Sequence, residues 1–119
     1  MAVLRIMPDI ACDDPAKAEA FYGDIIGMEV LMDMKWIKTL GGGTAAKPQI
    51  SFMTQGGNDT PVPDISIEVD NLDEVLERCT AAGHQPVYGP AKEDWGVRRF
   101  FVHDPFGTLL NVLQHIPPD

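Results

Sequence analysis

Residues 94–113 read Asp94-Trp95-Gly96-Val97-Arg98-Arg99-Phe100-Phe101-Val102-His103-Asp104-Pro105-Phe106-Gly107-Thr108-Leu109-Leu110-Asn111-Val112-Leu113. This is the pattern of a β-hairpin. Residues 98–103 and 109–113 are rich in aromatic, β-branched and aliphatic side chains that suit strands. Between them, Asp104-Pro105-Phe106-Gly107 places Asp first, Pro second and Gly fourth, as a type I turn favours. With Asp104 and Gly107 flanking that turn, Phe100 is expected opposite Asn111 and Arg98 opposite Leu113. One face then carries Arg98, Phe100, Val102, Leu109, Asn111 and Leu113. The other carries Arg99, Phe101, His103, Leu110, Val112 and Gln114. Neither face is fully polar, so both are expected to be covered, and Asn111 within an apolar face needs a partner or a purpose.

The rest of the chain supplies the same kinds of element. Residues 3–12 read as a strand with Pro8 at an edge or bulge. Asp14 before Pro15 announces a helix, Ala18, Phe21, Tyr22 and Ile25 form its apolar stripe, and Gly27 ends it. Two strands are expected over 28–32 and 36–40, then a loop from Gly41-Gly42-Gly43 to Pro48, then a strand over 49–55. Residues 56–63 have the composition of a linker.

The pattern then starts again. Residues 64–70 alternate strictly, with Ile65, Ile67 and Val69 on one face and Asp64, Ser66 and Glu68 on the other. Asn71 with Glu74 makes a capping-box start, Leu72, Val75, Leu76 and Cys79 form the stripe, and Gly83 stops the helix. Residues 86–88 read as a short strand and 89–94 as a loop before the hairpin. Asp14 and Asp70 lie 56 residues apart, as do Gly27 and Gly83. The chain is therefore read as an α+β protein of two βαβββ modules, 1–56 and 64–116, joined by 57–63.

Length and composition set limits. The 119 residues suit one domain. No apolar run approaches the roughly 20 residues a membrane span needs. Arg5 and Asp9 near the start argue against a signal peptide. The two cysteines, Cys12 and Cys79, suit small buried residues in a reducing cytoplasm. The net charge of −9 argues against nucleic acid and permits a cationic ligand.

Asp14-Pro15 followed by Ala20-Phe21-Tyr22 and Ile26-Gly27-Met28, then Trp95-Gly96, Arg98 and Asp104-Pro105-Phe106-Gly107, resembles the vicinal oxygen chelate superfamily. That superfamily includes glyoxalase I, the bleomycin-resistance proteins, fosfomycin-resistance enzymes and extradiol dioxygenases. The resemblance covers almost the whole chain. It implies two curled βαβββ sheets with helices on the convex side, a cleft for a small molecule, and a homodimer. On this picture Asp64, Ser66, Glu68, Arg98, Phe100 and Asn111 face the cleft.

Metal-dependent members of the superfamily take His or Glu ligands from four strands. The corresponding places here are about Met7, Ser51 or Phe52, Asp64 and Asn111. Only Asp64 is a good ligand; Met7 offers a soft thioether and Asn111 one neutral oxygen. His84, His103 and His115 read as helix-stop, hairpin-end and tail residues. No metal and no cofactor are therefore expected.

Trp36 and Trp95 suit the walls of a flat or cationic ligand, or core and interface packing. Arg98 suits a ligand anion, or an ion pair with Glu68 or Asp64. Tyr22 belongs to the core. Ser66 has no base nearby in sequence to make it a nucleophile, and Gly41-Gly42-Gly43 lacks the Lys and Ser or Thr of a phosphate-binding loop. The function expected is metal-free binding or sequestration of an aromatic or cationic compound by Met7, Trp36, Phe52, Asp64, Ser66, Glu68, Trp95, Arg98, Phe100 and Asn111. The alternative is a metal-dependent lyase or dioxygenase with an atypical metal site.

Overall fold

A computed structural model describes residues 2–42 and 48–117. The glycine-rich loop expected from Gly41 to Pro48 lies largely outside the described residues. The chain divides into two compact units, Met7–Val62 and Met1–Ile6 with Pro63–Asp119. Each is a mixed sheet with helix on one face.

In the unit Met7–Val62 the strands are β1 (Val3–Ala11, shared with the other unit), β2 (Glu29–Asp33), β3 (Ile37–Gly41) and β4 (Gln49–Met53), in the order β2-β3-β4-β1. β1 and β4 run parallel, with Asp9 beside Ser51. The expected first helix is present in two parts: α1 (Pro15–Ala18) continues as a π-helical segment, Glu19–Ile25. Asp14 caps it, its carboxylate accepting from the Ala16 N–H at 3.0 Å. Ala18, Leu40 and Phe52 form the buried core, with Cys12, Tyr22, Met28 and Ile50 against it. Alternation along the strands turns Met7, Asp9, Thr39 and Ser51 to the opposite face.

Within the stretch read as a linker, residues 56–60 form a hydrogen-bonded turn. The Gly56 N–H donates to the Thr60 carbonyl at 2.8 Å, and the Thr60 hydroxyl to the Gly57 carbonyl at 2.7 Å. A Cβ on Gly56 would stand 2.1 Å from the Pro61 carbonyl oxygen, so only glycine fits there.

In the other unit the strands are β5 (Ile65–Val69), β6 (Tyr88–Lys92), β7 (Val97–His103) and β8 (Leu109–His115), in the order β5-β8-β7-β6. The strand expected over 86–88 and the loop over 89–94 are replaced by β6, whose pairing with β7 carries a bulge between Tyr88 and Ala91. Helix α2 (Leu72–Ala81) follows β5. Asn71 caps it, accepting from the Glu74 N–H at 3.2 Å, and the expected return contact runs from the Asn71 side-chain amide to the Glu74 carboxylate at 3.5 Å, not from the backbone N–H of a full capping box. Val69, Leu72, Phe100, Val102 and Val112 make the buried core, with Ile67, Val75, Leu76, Cys79 and Leu110 packed on it. Cys12 and Cys79 thus sit at separate cores, and burial pushes both thiols up from their ordinary value.

The hairpin corrects the expected register by one residue. Phe101, not Phe100, faces Asn111; Phe100 faces Val112, and His103 faces Leu109. The turn itself forms, with the Gly107 N–H on the Asp104 carbonyl at 3.1 Å. The ladder, however, closes between Asp104 and Thr108, where the Asp104 N–H meets the Thr108 carbonyl at 3.0 Å. Gly107 takes φ +82° and adds one residue to the loop, as in three-residue hairpins built on a type I turn. Slipping the register by one residue exchanges the two faces of a strand. Arg98 and Phe100 therefore lie on the α2 side, and Arg99 and Phe101 on the open side.

Asp104 ties this loop together, accepting from the Phe106 and Thr108 N–H groups at 2.8 Å each. Partial desolvation pushes its pKa up, but those N–H groups outweigh it, and the net direction is down from 3.8. A depressed carboxyl stabilises the fold above its unfolded pKa and loses that contribution as pH falls through the folded value. In an acid titration below about pH 4, wild type should therefore lose stability that Asp104→Asn has already lost at neutral pH. Parallel curves for the two proteins would refute this.

Candidate functional site

The face of the β5–β8 sheet that points away from α2, its open face, gathers four of the candidate residues, Asp64, Ser66, Glu68 and Asn111. Ser66 and Asn111 are register partners on parallel strands, both buried, and the Asn111 amide donates to the Ser66 hydroxyl oxygen at 3.0 Å. The other end of that amide, Oδ1, is buried with no hydrogen-bond partner among the described residues. Turning the amide over only exchanges which end is bonded. A buried amide oxygen without a donor costs about 1–3 kcal/mol, so it is a place where a ligand's donor group is favoured.

Two residues along β5, Glu68 accepts from Arg5 Nε at 2.7 Å and lies 2.8 Å from His115 Nδ1. His115 is the last residue of β8, not a residue of the tail. Asp64, at the mouth of the same strand, accepts from the Leu109 N–H at 2.8 Å. The two carboxylates expected to attract a cation are thus both engaged inside the fold. Their separation in sequence from Arg5, His115 and Leu109 hid these partners.

At the β6–β7 end stands a cluster the sequence did not announce. Arg99 and Glu93, with side chains 3% and 2% exposed, form an ion pair at 2.7 Å. Tyr88 donates its hydroxyl to the same carboxylate at 3.0 Å. The guanidinium carbon lies 5.2 Å from the Tyr88 ring centre, 5.0 Å from Trp95 and 4.8 Å from Phe101. Glu93 and Trp95 come from the turn between β6 and β7, where the Glu93 N–H bonds the Val97 carbonyl at 2.8 Å. Trp95 therefore stacks on the protein's own cation. The signal available was an arginine alternating with aromatics in a strand; its acid partner stood in what read as a loop.

The remaining candidates divide between faces. Phe52 is buried in the core beneath α1, and Phe100 beneath α2. Arg98 pairs with Asp73 of α2 instead of Glu68 or Asp64. Trp36 is half-buried at the turn before β3. Met7 is buried on the open face of its own unit with its sulfur 4.0 Å from the Ser51 hydroxyl, which shares a 2.8 Å hydrogen bond with Thr39.

These placements test the family's metal positions. Met7 faces a hydroxyl, Phe52 is core, Asp64 is committed to a backbone N–H, and Asn111 is neutral. Among the described residues no group of three His, Cys, Asp or Glu side chains is placed to hold an ion. In neither unit, taken by itself, do the residues at these positions fit a divalent metal. Nor is any helix among the described residues long and apolar enough to cross a membrane.

The family model described as the Glyoxalase/Bleomycin resistance protein/Dioxygenase superfamily matches residues 3–112. No curated protein matches the chain by sequence. Among solved structures, a Legionella pneumophila protein described as an NAD-dependent benzaldehyde dehydrogenase superposes with TM-score 0.76 at 16% identity, covering 93% of this chain and 99% of its own. Methylmalonyl-CoA epimerase from Mycobacterium tuberculosis gives TM-score 0.64 at 20% identity, with 97% and 88% covered. A glyoxalase/bleomycin resistance protein/dioxygenase superfamily member from Vibrio splendidus 12B01 gives 0.62 at 17% identity, with 97% and 100% covered. At these identities the likeness is one of fold.

Proposed function

We propose, given that the chain belongs to the Glyoxalase/Bleomycin resistance protein/Dioxygenase superfamily, that it binds a small organic molecule without a metal, on the open face that carries Ser66 and Asn111. The observation that carries this reading is the buried, unpartnered end of the Asn111 amide. Its neighbours on that face are the hydrogen-bonded Ser66 hydroxyl and groups that are apolar or already ion-paired, so the ligand favoured is a neutral or amphipathic aromatic compound with a hydrogen-bond donor. Glu68 and Asp64 have partners of their own, which removes the main argument for a cation.

Tryptophan fluorescence, titrated with neutral, cationic and anionic aromatics of similar size, tests this. Asn111→Leu should weaken the best neutral binder roughly 2- to 13-fold, the worth of one neutral hydrogen bond of about 0.5–1.5 kcal/mol. Unchanged affinity would remove Asn111 from the site. One tightly bound divalent ion per chain, or turnover of a glutathione hemithioacetal that chelators abolish, would favour the metal-dependent lyase instead.

The working form proposed is a homodimer. β2 is the outer strand of its unit and leaves Val30, Leu31 and Met32 between 38% and 49% exposed along an unpaired edge. Apolar edges of this kind are normally covered. Light scattering should give twice the chain mass, and a monomer at micromolar concentration would refute the dimer.

A further inference from the structure

We propose that Glu68 and His115 form a proton-transfer pair, the imidazole Nε2 acting as a base toward weakly acidic C–H or O–H groups of small molecules. The pair is built, not incidental. Its carboxylate lies on β5 with the side chain 14% exposed, one oxygen on Arg5 Nε and the other on His115 Nδ1. The carboxylate accepts the Nδ1 proton, which leaves the lone pair on Nε2. The His115 side chain is 55% exposed, so that lone pair is open to a substrate. A base oriented by a carboxylate is the arrangement general-base catalysis requires.

The pair shares its sheet face with Ser66 and Asn111. His115 lies four residues beyond Asn111 on β8, or about 14 Å at ~3.4 Å per residue. The natural substrate class follows from that spacing, and this part rests on Asn111 as the anchor. It is an elongated molecule with a donor group at one end and an acidic proton at the other. In the step, the substrate's C–H or O–H bond breaks, the proton passes to Nε2, and the electron pair stays on the substrate. The imidazolium so formed lies against Glu68. The other charged or titratable groups on this face are Arg5 from β1, Asp64 at the start of β5, His103 at the far end of β7 and, diagonally on β7, Arg99, itself paired with Glu93.

The test uses 5-nitrobenzisoxazole, a compact probe of base strength that needs no anchor. Nε2 takes its C3 proton, the C–H electron pair closes the C≡N bond as the N–O bond breaks, and the ring opens to a single coloured product, the cyanonitrophenolate. The second-order rate constant should fall about 10²-fold in His115→Gln, the usual worth of a positioned base. Glu68→Gln should lower it less, while ¹⁵N spectra show His115 passing from the Nδ1–H tautomer to a mixture. Equal rates for wild type and His115→Gln, or an Nε2–H tautomer in wild type, would overturn the assignment. If His115→Gln leaves the elimination unchanged while Asn111→Leu still weakens aromatic binding, the proton-transfer pair falls and the binding site stands. If no aromatic binds yet His115→Gln abolishes the elimination, the reverse holds.

Discussion

Arg99→Ala should lower the unfolding free energy by about 3–5 kcal/mol, because it strands the Glu93 carboxylate in a site from which water is excluded. A domain of this size is stable by only about 5–15 kcal/mol in total. The variant should therefore unfold at a much lower urea concentration, with an unchanged slope. The Tyr88 hydroxyl would still reach Glu93, but one neutral donor does not replace a guanidinium bonded through two nitrogens. Removing both charges is the informative control. Arg99→Met with Glu93→Leu fills similar volume and strands no charge, leaving only the half-buried Tyr88 hydroxyl without its acceptor, so it should recover most of the loss. If the double variant is as unstable as Arg99→Ala, the damage comes from lost packing against the three rings and not from an orphaned charge.

The second large effect lies under α2. Phe100 is fully buried, among Val69, Leu72, Val102 and Val112. Phe100→Ala should cost about 3–5 kcal/mol, the transfer of the ring plus the cavity it leaves. Leu72 is also fully buried in that cluster, so a double-mutant cycle between the two should show coupling of about 0.5–3 kcal/mol. Under conditions where Phe100→Ala remains folded, its selectivity among aromatic ligands should match wild type. Altered selectivity with unchanged stability would place the ring in the site after all.

These two residues mark where sequence reading succeeds and where it stops. Both helix starts were legible because an N-cap is a local chemical event: Asp14 and Asn71 bond to N–H groups two or three residues away. The order of elements was legible because hydrophobic period changes audibly from strand to helix. The facing of the last hairpin was not. Its turn was read correctly, yet whether Gly107 ends the turn or extends the loop is a question of one φ angle, and that angle decides whether Phe100 or Phe101 meets Asn111. The partners of Glu68 were out of reach for another reason. Arg5 and His115 lie 63 and 47 residues away, and only strand order brings them together. The spacing of Ala18, Phe21, Tyr22 and Ile25 predicts a regular helix, and nothing local in residues 19–25 signals its wider π-helical turns.

The hairpin loop also constrains how this chain can change over time. Substitutions at Pro105 or Phe106 alter only the outward loop, and Phe106 is nearly fully exposed. Losing a single codon there is a different event. If a three-residue loop re-forms, Asp104 moves opposite Leu109, and Asn111 passes to the helix side while Val112 takes its place; if the loop closes as a two-residue turn on the present Asp104–Thr108 pair, the facing is kept. The letters of this loop can therefore change freely, whereas a change of length keeps Asn111 on its present face only where the Asp104–Thr108 pair still closes the ladder.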